Sequence, residues 1–360
     1  MNKETLEFKE VISDYLRNLM LRVKSEKGEL SREYNALFYQ YIRTDSELLE
    51  MKEHNMKHYE AVVDHGRAGL QYVERLYKRQ ATVDLTTVCS AHCRYCLRQN
   101  YSHIKMTQED QQEIVKYIAD DPYLKEILIT GGDPLLVPDI LLSFTNRIMN
   151  EAPNIKIIRI GTRLPVQNPN KLDERLLKFF YENKHKMIFE IALQINHTVE
   201  MQNETINCIQ QLQESGVTIY AQNVLLKNVN DDMDSLIDLY DALRYMHIES
   251  HYLFHPVPIC RTAQFRMPLE QFLDIARKLT ASGEIPGRSK PMFAVMTDIG
   301  KCTLYEGTLL DKDEDGYYEI NTAYQLEERL KWNARYILPE SAKVSKEGNL
   351  IVKYLDGEMQ

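Results

Sequence analysis

The sequence predicts an α/β fold in which six strand-helix units curl a parallel sheet into a barrel or partial barrel, with a helical region before it and a small appendage after it. Three observations predict this. Short β-rich runs recur six times after residue 80, amphipathic stretches separate them, and the first 80 residues are rich in Glu, Lys, Leu and Tyr with few Gly or Pro. Parallel neighbours need long crossovers, and each crossover helix must pack back onto the sheet, so such an alternation implies a curled parallel sheet.

Taken in order, residues 1–80 read as a helical N-terminal region. The strands expected in the core, residues 81–305, are 81–88, 126–130, 155–161, 187–193, 217–222 and 251–254. Helices lie between them. After Asp139, the residues Ile140, Leu141, Phe144 and Ile148 share one face, as do Met233, Leu236, Ile237, Tyr240 and Leu243 further on, while Gly216 suits a helix end just before the next strand. Residues 306–360 form the appendage, where Asp311-Lys312-Asp313-Glu314-Asp315-Gly316 reads as a solvated turn. Active sites of such barrels lie at the strand C-terminal ends.

Bulk properties narrow the function. A chain of 360 residues with 44% hydrophobic and 27% charged content buries a sizeable core. Its formal charge of −9 argues against nucleic acid as the partner, since phosphate backbones are held by clustered Lys and Arg. The charged N-terminus lacks the apolar stretch of a signal peptide, and no later run reaches membrane-spanning length, so the expectation is a cytoplasmic protein with no membrane partner. Six cysteines are too few for a disulfide scaffold. Three of them fall within eight residues, which favours metal chemistry in a reducing compartment.

The informative segment is Thr86-Thr87-Val88-Cys89-Ser90-Ala91-His92-Cys93-Arg94-Tyr95-Cys96-Leu97-Arg98, at the end of the first expected strand. Three thiolates at this C-x3-C-x2-C spacing, Cys89, Cys93 and Cys96, can each bind one iron of a 4Fe-4S cube and leave the fourth iron open, whereas a structural cluster takes four cysteines. An open iron lets an amino and a carboxylate group chelate the cluster beside a sulfonium. The competing readings are a zinc site completed by His92 or a distant cysteine, and a chance set of buried thiols. Cys208, Cys260 and Cys302 form no further short chelating motif and read as ordinary buried thiols.

The cysteine motif, with an aromatic before its last cysteine, resembles the signature of the radical S-adenosylmethionine (SAM) superfamily. Further landmarks are similar to those of the lysine 2,3-aminomutase family, in family order: Thr130-Gly131-Gly132-Asp133-Pro134-Leu135-Leu136-Val137, Arg159-Ile160-Gly161-Thr162-Arg163-Leu164-Pro165-Val166, Asn196-His197, Gln222-Asn223-Val224-Leu225-Leu226-Lys227-Asn228-Val229-Asn230-Asp231 and Phe265-Arg266-Met267-Pro268. The resemblance implies a radical SAM partial (β/α)6 barrel and an aminomutase that cleaves S-adenosylmethionine with a 4Fe-4S cluster and moves an amino group from the α- to the β-carbon. It places Tyr95 near the adenine and makes Gly131, Gly132, Asp133, Thr162 and Gln222 the candidate contacts to S-adenosylmethionine. On the residues alone, Gly131 and Gly132 equally suit a tight strand-helix turn, and Thr162 and Gln222 equally suit satisfied residues of the barrel mouth.

The same resemblance implies pyridoxal phosphate, with Lys301 as the imine lysine, Arg75 and Arg79 clamping the phosphate, and Arg98 holding the substrate carboxylate. Three departures accompany it. Val257 and Met296 stand where the lysine-specific enzyme has two aspartates, so lysine loses its partners and, with His255 and Arg261 nearby, a neutral or acidic side chain is expected. The glycine run before the imine lysine shrinks to Asp298-Ile299-Gly300, and no C-terminal cysteines remain for zinc. The expected partners are a small amino acid and an electron donor such as flavodoxin or ferredoxin, with a homo-oligomer left open. The alternative function is a radical SAM enzyme that works without pyridoxal phosphate, by epimerisation or dehydrogenation, and the distant one is a non-enzymatic iron-sulfur protein.

Overall fold

A computed structural model of the chain describes residues 8–48, 70–99, 106–305 and 308–357. The part of the expected N-terminal helical region at residues 1–7 and 49–69 lies outside the described residues. What is described there begins with two antiparallel-packed helices, α1 (Asp14–Lys27) and α2 (Arg32–Tyr41). Both start at a serine, Ser13 and Ser31, whose side chain accepts from a backbone N–H of the first turn, and Leu16, Leu19, Met20, Val23, Ala36 and Leu37 form their buried stripe.

The core then follows: β1 (Val73–Glu74), β2 (Gln80–Thr86), α3 (Gln108–Asp120), β3 (Glu126–Gly131), α4 (Pro138–Glu151), β4 (Ile157–Thr162), α5 (Leu164–Gln167), α6 (Glu174–Asn183), β5 (Ile188–Leu193), α7 (Asn203–Glu214), β6 (Thr218–Val224), α8 (Met233–Tyr245), β7 (Glu249–Phe254), α9 (Leu269–Ala281), β8 (Met292–Thr297) and β9 (Gly300–Thr303). The nine strands are neighbours in chain order, with β2 to β8 all parallel and β1 and β9 antiparallel at the two edges. All six expected strands are present within a few residues. The sheet adds a seventh parallel strand, β8, and two short antiparallel edges, and because β1 pairs with β2 the sheet begins ahead of the boundary expected at residue 81.

Alternation along the strands decides what faces the inside. In β3 and β4, Ile127, Ile129, Ile158 and Ile160 are wholly buried in the main apolar cluster, which also holds Leu141, Phe144 and Ile148 of α4 and Leu236, Leu239, Tyr240 and Leu243 of α8. The residues between them, Glu126, Leu128, Thr130, Arg159 and Gly161, turn to the concave side. Arg159 there bridges Glu126 at 2.8 Å and Glu190 of β5 at 3.1 Å, making an ion-paired floor. The curl brings the edges together: Lys301 of β9 donates its backbone N–H to the Tyr77 hydroxyl, just after β1, at 2.9 Å.

The appendage is a four-stranded antiparallel sheet of β10 (Leu309–Lys312), β11 (Tyr317–Gln325), β12 (Ala342–Val344) and β13 (Asn349–Leu355), with α10 (Leu326–Trp332) between β11 and β12. The acidic turn expected at residues 311–316 joins β10 to β11. Ile320, Leu350, Val352 and Tyr354 belong to the same apolar cluster as the barrel, and Arg266 donates to the Leu355 carbonyl. Among the described residues, no helix is long and apolar enough to cross a membrane.

Candidate active site

A cavity of about 660 Å³ opens inside the curl, at the C-terminal ends of the parallel strands. Cys89, Cys93 and Cys96 line it from the loop after β2, with Tyr95, Arg98, Gly131, Gly132, Asp133, Thr162, Gln222 and Lys301 around the same space. The structure thus brings together every candidate site residue except Arg75 and Arg79. The thiols are close enough to act on one another: burial first, then the neighbouring thiols, pushes Cys89 up and Cys96 to about 11. Among the described residues, no three His, Cys, Asp or Glu side chains converge tightly enough to hold one metal ion. The thiolates of a cube bind separate irons, one cysteine to each, and three cysteines on one loop offer a donor set that fits such a cluster. His92 is committed elsewhere, with Nδ1 2.8 Å from the Lys9 carbonyl and its ring stacked on Phe8. Of the remaining cysteines, Cys208 and Cys302 are buried as expected but Cys260 is exposed.

The cluster loop is gripped by the N-terminal layer. His92 N–H donates to the Val11 carbonyl and Arg94 N–H to that of Gln40, while the Arg94 guanidinium pairs with Glu47 at 2.7 Å and reaches the Phe8 and Lys9 carbonyls. Beneath the loop lies a buried polar network that the sequence reading missed. Arg163, following β4, donates to the Cys93 sulfur at 3.0 Å, to Gln40 Oε1 at 3.1 Å, and to the Tyr95 hydroxyl and Glu200. Glu200 also accepts from the Tyr41 hydroxyl and the backbone of Asn196 and His197. Gln167 adds a second donor to Cys93 at 3.2 Å. Arg163 stood inside a recognised landmark, but no local pattern says that an arginine after one strand meets a cysteine after another.

The glycines serve the strand ends. A Cβ on Gly131, at φ 110°, would sit 2.3 Å from the Thr86 carbonyl, and one on Gly132 2.3 Å from that of Val88. The Gly132 and Asp133 amides donate to those same carbonyls, at 2.5 and 2.7 Å, so the tight-turn reading describes them and fixes the cluster loop against β3. Asp133 accepts from the Thr162 hydroxyl at 2.8 Å and from the Arg163 and Leu135 amides, and Thr162 in turn accepts from Leu164 N–H. Both shape the mouth with each other. Gln222 differs: its amide nitrogen is buried without a partner among the described residues and lies on the cavity, where a ligand acceptor would satisfy it.

Lys301 lines the same cavity with its ammonium 5.3 Å from the Tyr252 ring and 5.8 Å from that of Phe254. Burial first, then Arg159, lowers it to about 8. Arg98 donates Nε to Asp84 at 3.0 Å, and Asp84, almost fully buried, has a second carboxylate oxygen with no partner among the described residues. Burial raises Asp84 to about 7 against the pull of Arg98.

The expected phosphate clamp is not assembled. Arg75 is 3% exposed and turned away from the cavity, bonded to Asp121 and the Tyr117 hydroxyl and to the Tyr77 and Lys78 carbonyls, with its guanidinium over Trp332. Arg79 is exposed to solvent, and its carbonyl accepts the Lys125 and Glu126 amides at the start of β3. Pairing of β1 with β2 on either side fixes the backbone of this stretch. Of the two residues expected near the side-chain pocket, His255 lines the cavity with both ring nitrogens bonded, to the Tyr354 hydroxyl and the Met267 carbonyl, while Arg261 lies off the lining.

Residues 83–240 match the family model described as the radical SAM superfamily. The chain is 28% identical over 222 residues to the L-lysine 2,3-aminomutase of Clostridium subterminale, covering 61% of this chain and 52% of that one. To the Escherichia coli K12 L-lysine 2,3-aminomutase it is 29% identical over 205 residues, 56% and 59% of the two chains. A relative from Aquifex aeolicus, provisionally given the same name, is 26% identical over 289 residues, 78% and 76%. The chain therefore spans little more than half the length of the Clostridium and Escherichia proteins. Among solved structures, Streptococcus suis SuiB bound to S-adenosylmethionine gives a TM-score of 0.45 at 14% identity over 61% of this chain and 50% of that one. A radical SAM methyltransferase from Sphaerobacter thermophilus gives 0.45 at 15% identity over 80% and 96%. Residues 83–240 thus resemble the radical SAM superfamily, and the chain is similar in sequence to proteins named L-lysine 2,3-aminomutases.

Proposed function

We propose that the chain is a radical SAM aminomutase that shifts an amino group between the α- and β-carbons of an amino acid other than lysine. The observation that carries this reading is that Cys89, Cys93, Cys96, Arg98 and Lys301 all line one cavity. Cys89, Cys93 and Cys96 would hold a 4Fe-4S cluster, whose electron, delivered to S-adenosylmethionine, supplies the hydrogen-abstracting radical. The Gln222 amide would orient that ligand. Arg98, braced by Asp84, would hold the substrate carboxylate, and the surrounding Leu128, Val224 and Phe254 exclude water from the reacting carbon.

Pyridoxal phosphate fits this cavity at one end only. The Lys301 amine, depressed to about 8, suits imine formation with the cofactor aldehyde, but neither Arg75 nor Arg79 reaches the cavity to take the phosphate. That mismatch favours a second reading, hydrogen abstraction without pyridoxal phosphate, as in epimerisation or dehydrogenation. Anaerobic reconstitution followed by borohydride trapping decides between them. Loss of the trapped adduct and of the amino shift in Lys301→Ala supports the aminomutase; an absent adduct with turnover intact removes it.

A further inference from the structure

We propose that Arg163, paired with Glu200 and joined by Gln167, sets the reduction potential of the cluster through Cys93. The inference rests on Cys89, Cys93 and Cys96 as the cluster ligands and is independent of which amino acid the chain transforms.

The three thiols are not treated alike. Cys93 Sγ accepts from Arg163 Nη1 at 3.0 Å and from Gln167 Nε2 at 3.2 Å, and all three residues are buried. Cys96 draws on the backbone N–H of Arg98, and among the described residues no side chain donates to Cys89 or Cys96. One thiolate of three therefore meets a cation and a neutral donor together.

Several contacts aim the guanidinium. Arg163 follows β4, where its backbone N–H donates to Asp133 at 2.9 Å. Its Nη1 meets the Cys93 sulfur and the Tyr95 hydroxyl, and its Nη2 meets Gln40 and Glu200. Glu200 is fixed in turn by the Tyr41 hydroxyl at 3.1 Å and by the Asn196 and His197 amides at 2.7 and 3.2 Å. Arginine's planar fork lets one side chain hold a sulfur on one nitrogen and a carboxylate on the other. The result is a buried ion pair with its positive end at the sulfur and its negative end turned away, in an interior that screens such a dipole weakly.

Reduction adds one negative charge to the cluster and its thiolates without moving a proton, the electron coming from a one-electron donor such as an iron-sulfur or flavin protein. A positive end and two donors at one sulfur stabilise that charge, so they raise the potential. A network that only held the loop in place would carry no sign. Here the sign is fixed: neutralising Glu200 leaves Arg163 uncompensated and raises the potential further, whereas removing the pair together lowers it.

The test is a redox titration of the reconstituted full chain, followed by electron paramagnetic resonance without S-adenosylmethionine. Glu200→Gln is expected to favour reduction by about ten-fold in equilibrium constant, about 59 mV upward for one electron. Arg163→Met combined with Glu200→Gln is expected to disfavour it by a similar factor, and Gln167→Leu, which leaves the ion pair in place, by about three-fold. Shifts of one sign in all three variants, or midpoints equal to that of the native chain, overturn the proposal. Should the double variant assemble no cluster, opposed shifts in Glu200→Gln and Gln167→Leu still uphold it and shifts of the same sign overturn it. A native chain that gives no cluster signal removes the ligand assignment and this inference with it, whereas a missing amino shift sinks the aminomutase and leaves both standing.

Discussion

Two parts of the cavity are built on opposite principles. Under the cluster loop, Arg163, Glu200, Gln40, Tyr41, Tyr95 and Asn196 satisfy one another, with Arg163 Nε the one nitrogen of its guanidinium lacking a partner among the described residues. Elsewhere around the cavity, Gln222 Nε2 and, on β2, Asp84 Oδ2 are buried and unpartnered among the described residues, and the Lys301 ammonium lies beside the Tyr252 and Phe254 rings. A completed network gives rigidity, because any displacement breaks several hydrogen bonds in a low-dielectric interior. An incomplete one stores a desolvation cost that a ligand can relieve. The part of the cavity under the cysteines is thus preorganised, and the part with unpartnered groups is left for a ligand to complete.

The largest effect expected on this contrast comes from the cysteines. Cys89→Ala, Cys93→Ala or Cys96→Ala each abolishes 5′-deoxyadenosine formation, and a variant that retained it with a loaded cluster would contradict the ligand assignment. Next comes the buried network. Arg163→Met leaves Glu200 charged and unpaired in the interior, an expected loss of about 3–5 kcal/mol in chemical denaturation, part of which Glu200→Gln restores in the double variant. Arg98→Met, by contrast, costs about 1–2 kcal/mol at neutral pH, since Asp84 is already poised near 7 and can take a proton when its partner leaves. Equal losses for the two arginines would erase the distinction between the two parts.

Two pH effects sharpen it. Asp84 is raised in the folded state, so its contribution to stability is complete below about 4 and is lost as pH rises through about 7; Asp84→Asn flattens the stability profile over that window. Lys301 moves the other way, from 10.5 to about 8, so its neutral amine grows from roughly a tenth at pH 7 to roughly nine tenths at pH 9. Amine-selective labelling read by peptide mass spectrometry should show a midpoint near 8 there, and a midpoint at the ordinary lysine value would mean the amine is not desolvated. The smallest expected change is in Gln167→Leu, which removes one hydrogen bond to Cys93 and shifts the cluster potential to more negative values in an electron paramagnetic resonance titration.

Periodicity and local motifs by themselves determined the strand-helix alternation and the cluster loop at the end of the first parallel strand, while Lys301 and Arg98 as site residues came from the family resemblance. Such features are written in contiguous residues: period-2 strands, capped amphipathic helices and a chelating tripod within eight positions. Only the tertiary structure decided the rest. The two-residue strand β1 is too short to carry a periodic signal, and β9 is recognisable only because Met296 pairs with Lys301 across a hairpin. Arg75 left the site because Asp121 and Trp332, far along the chain, satisfied it first. Arg163 reached Cys93 across 70 residues, since β4 and the loop after β2 open onto the same mouth. Long-range partners of polar side chains are set by how strands order themselves in a sheet, and no local stretch of sequence records that order.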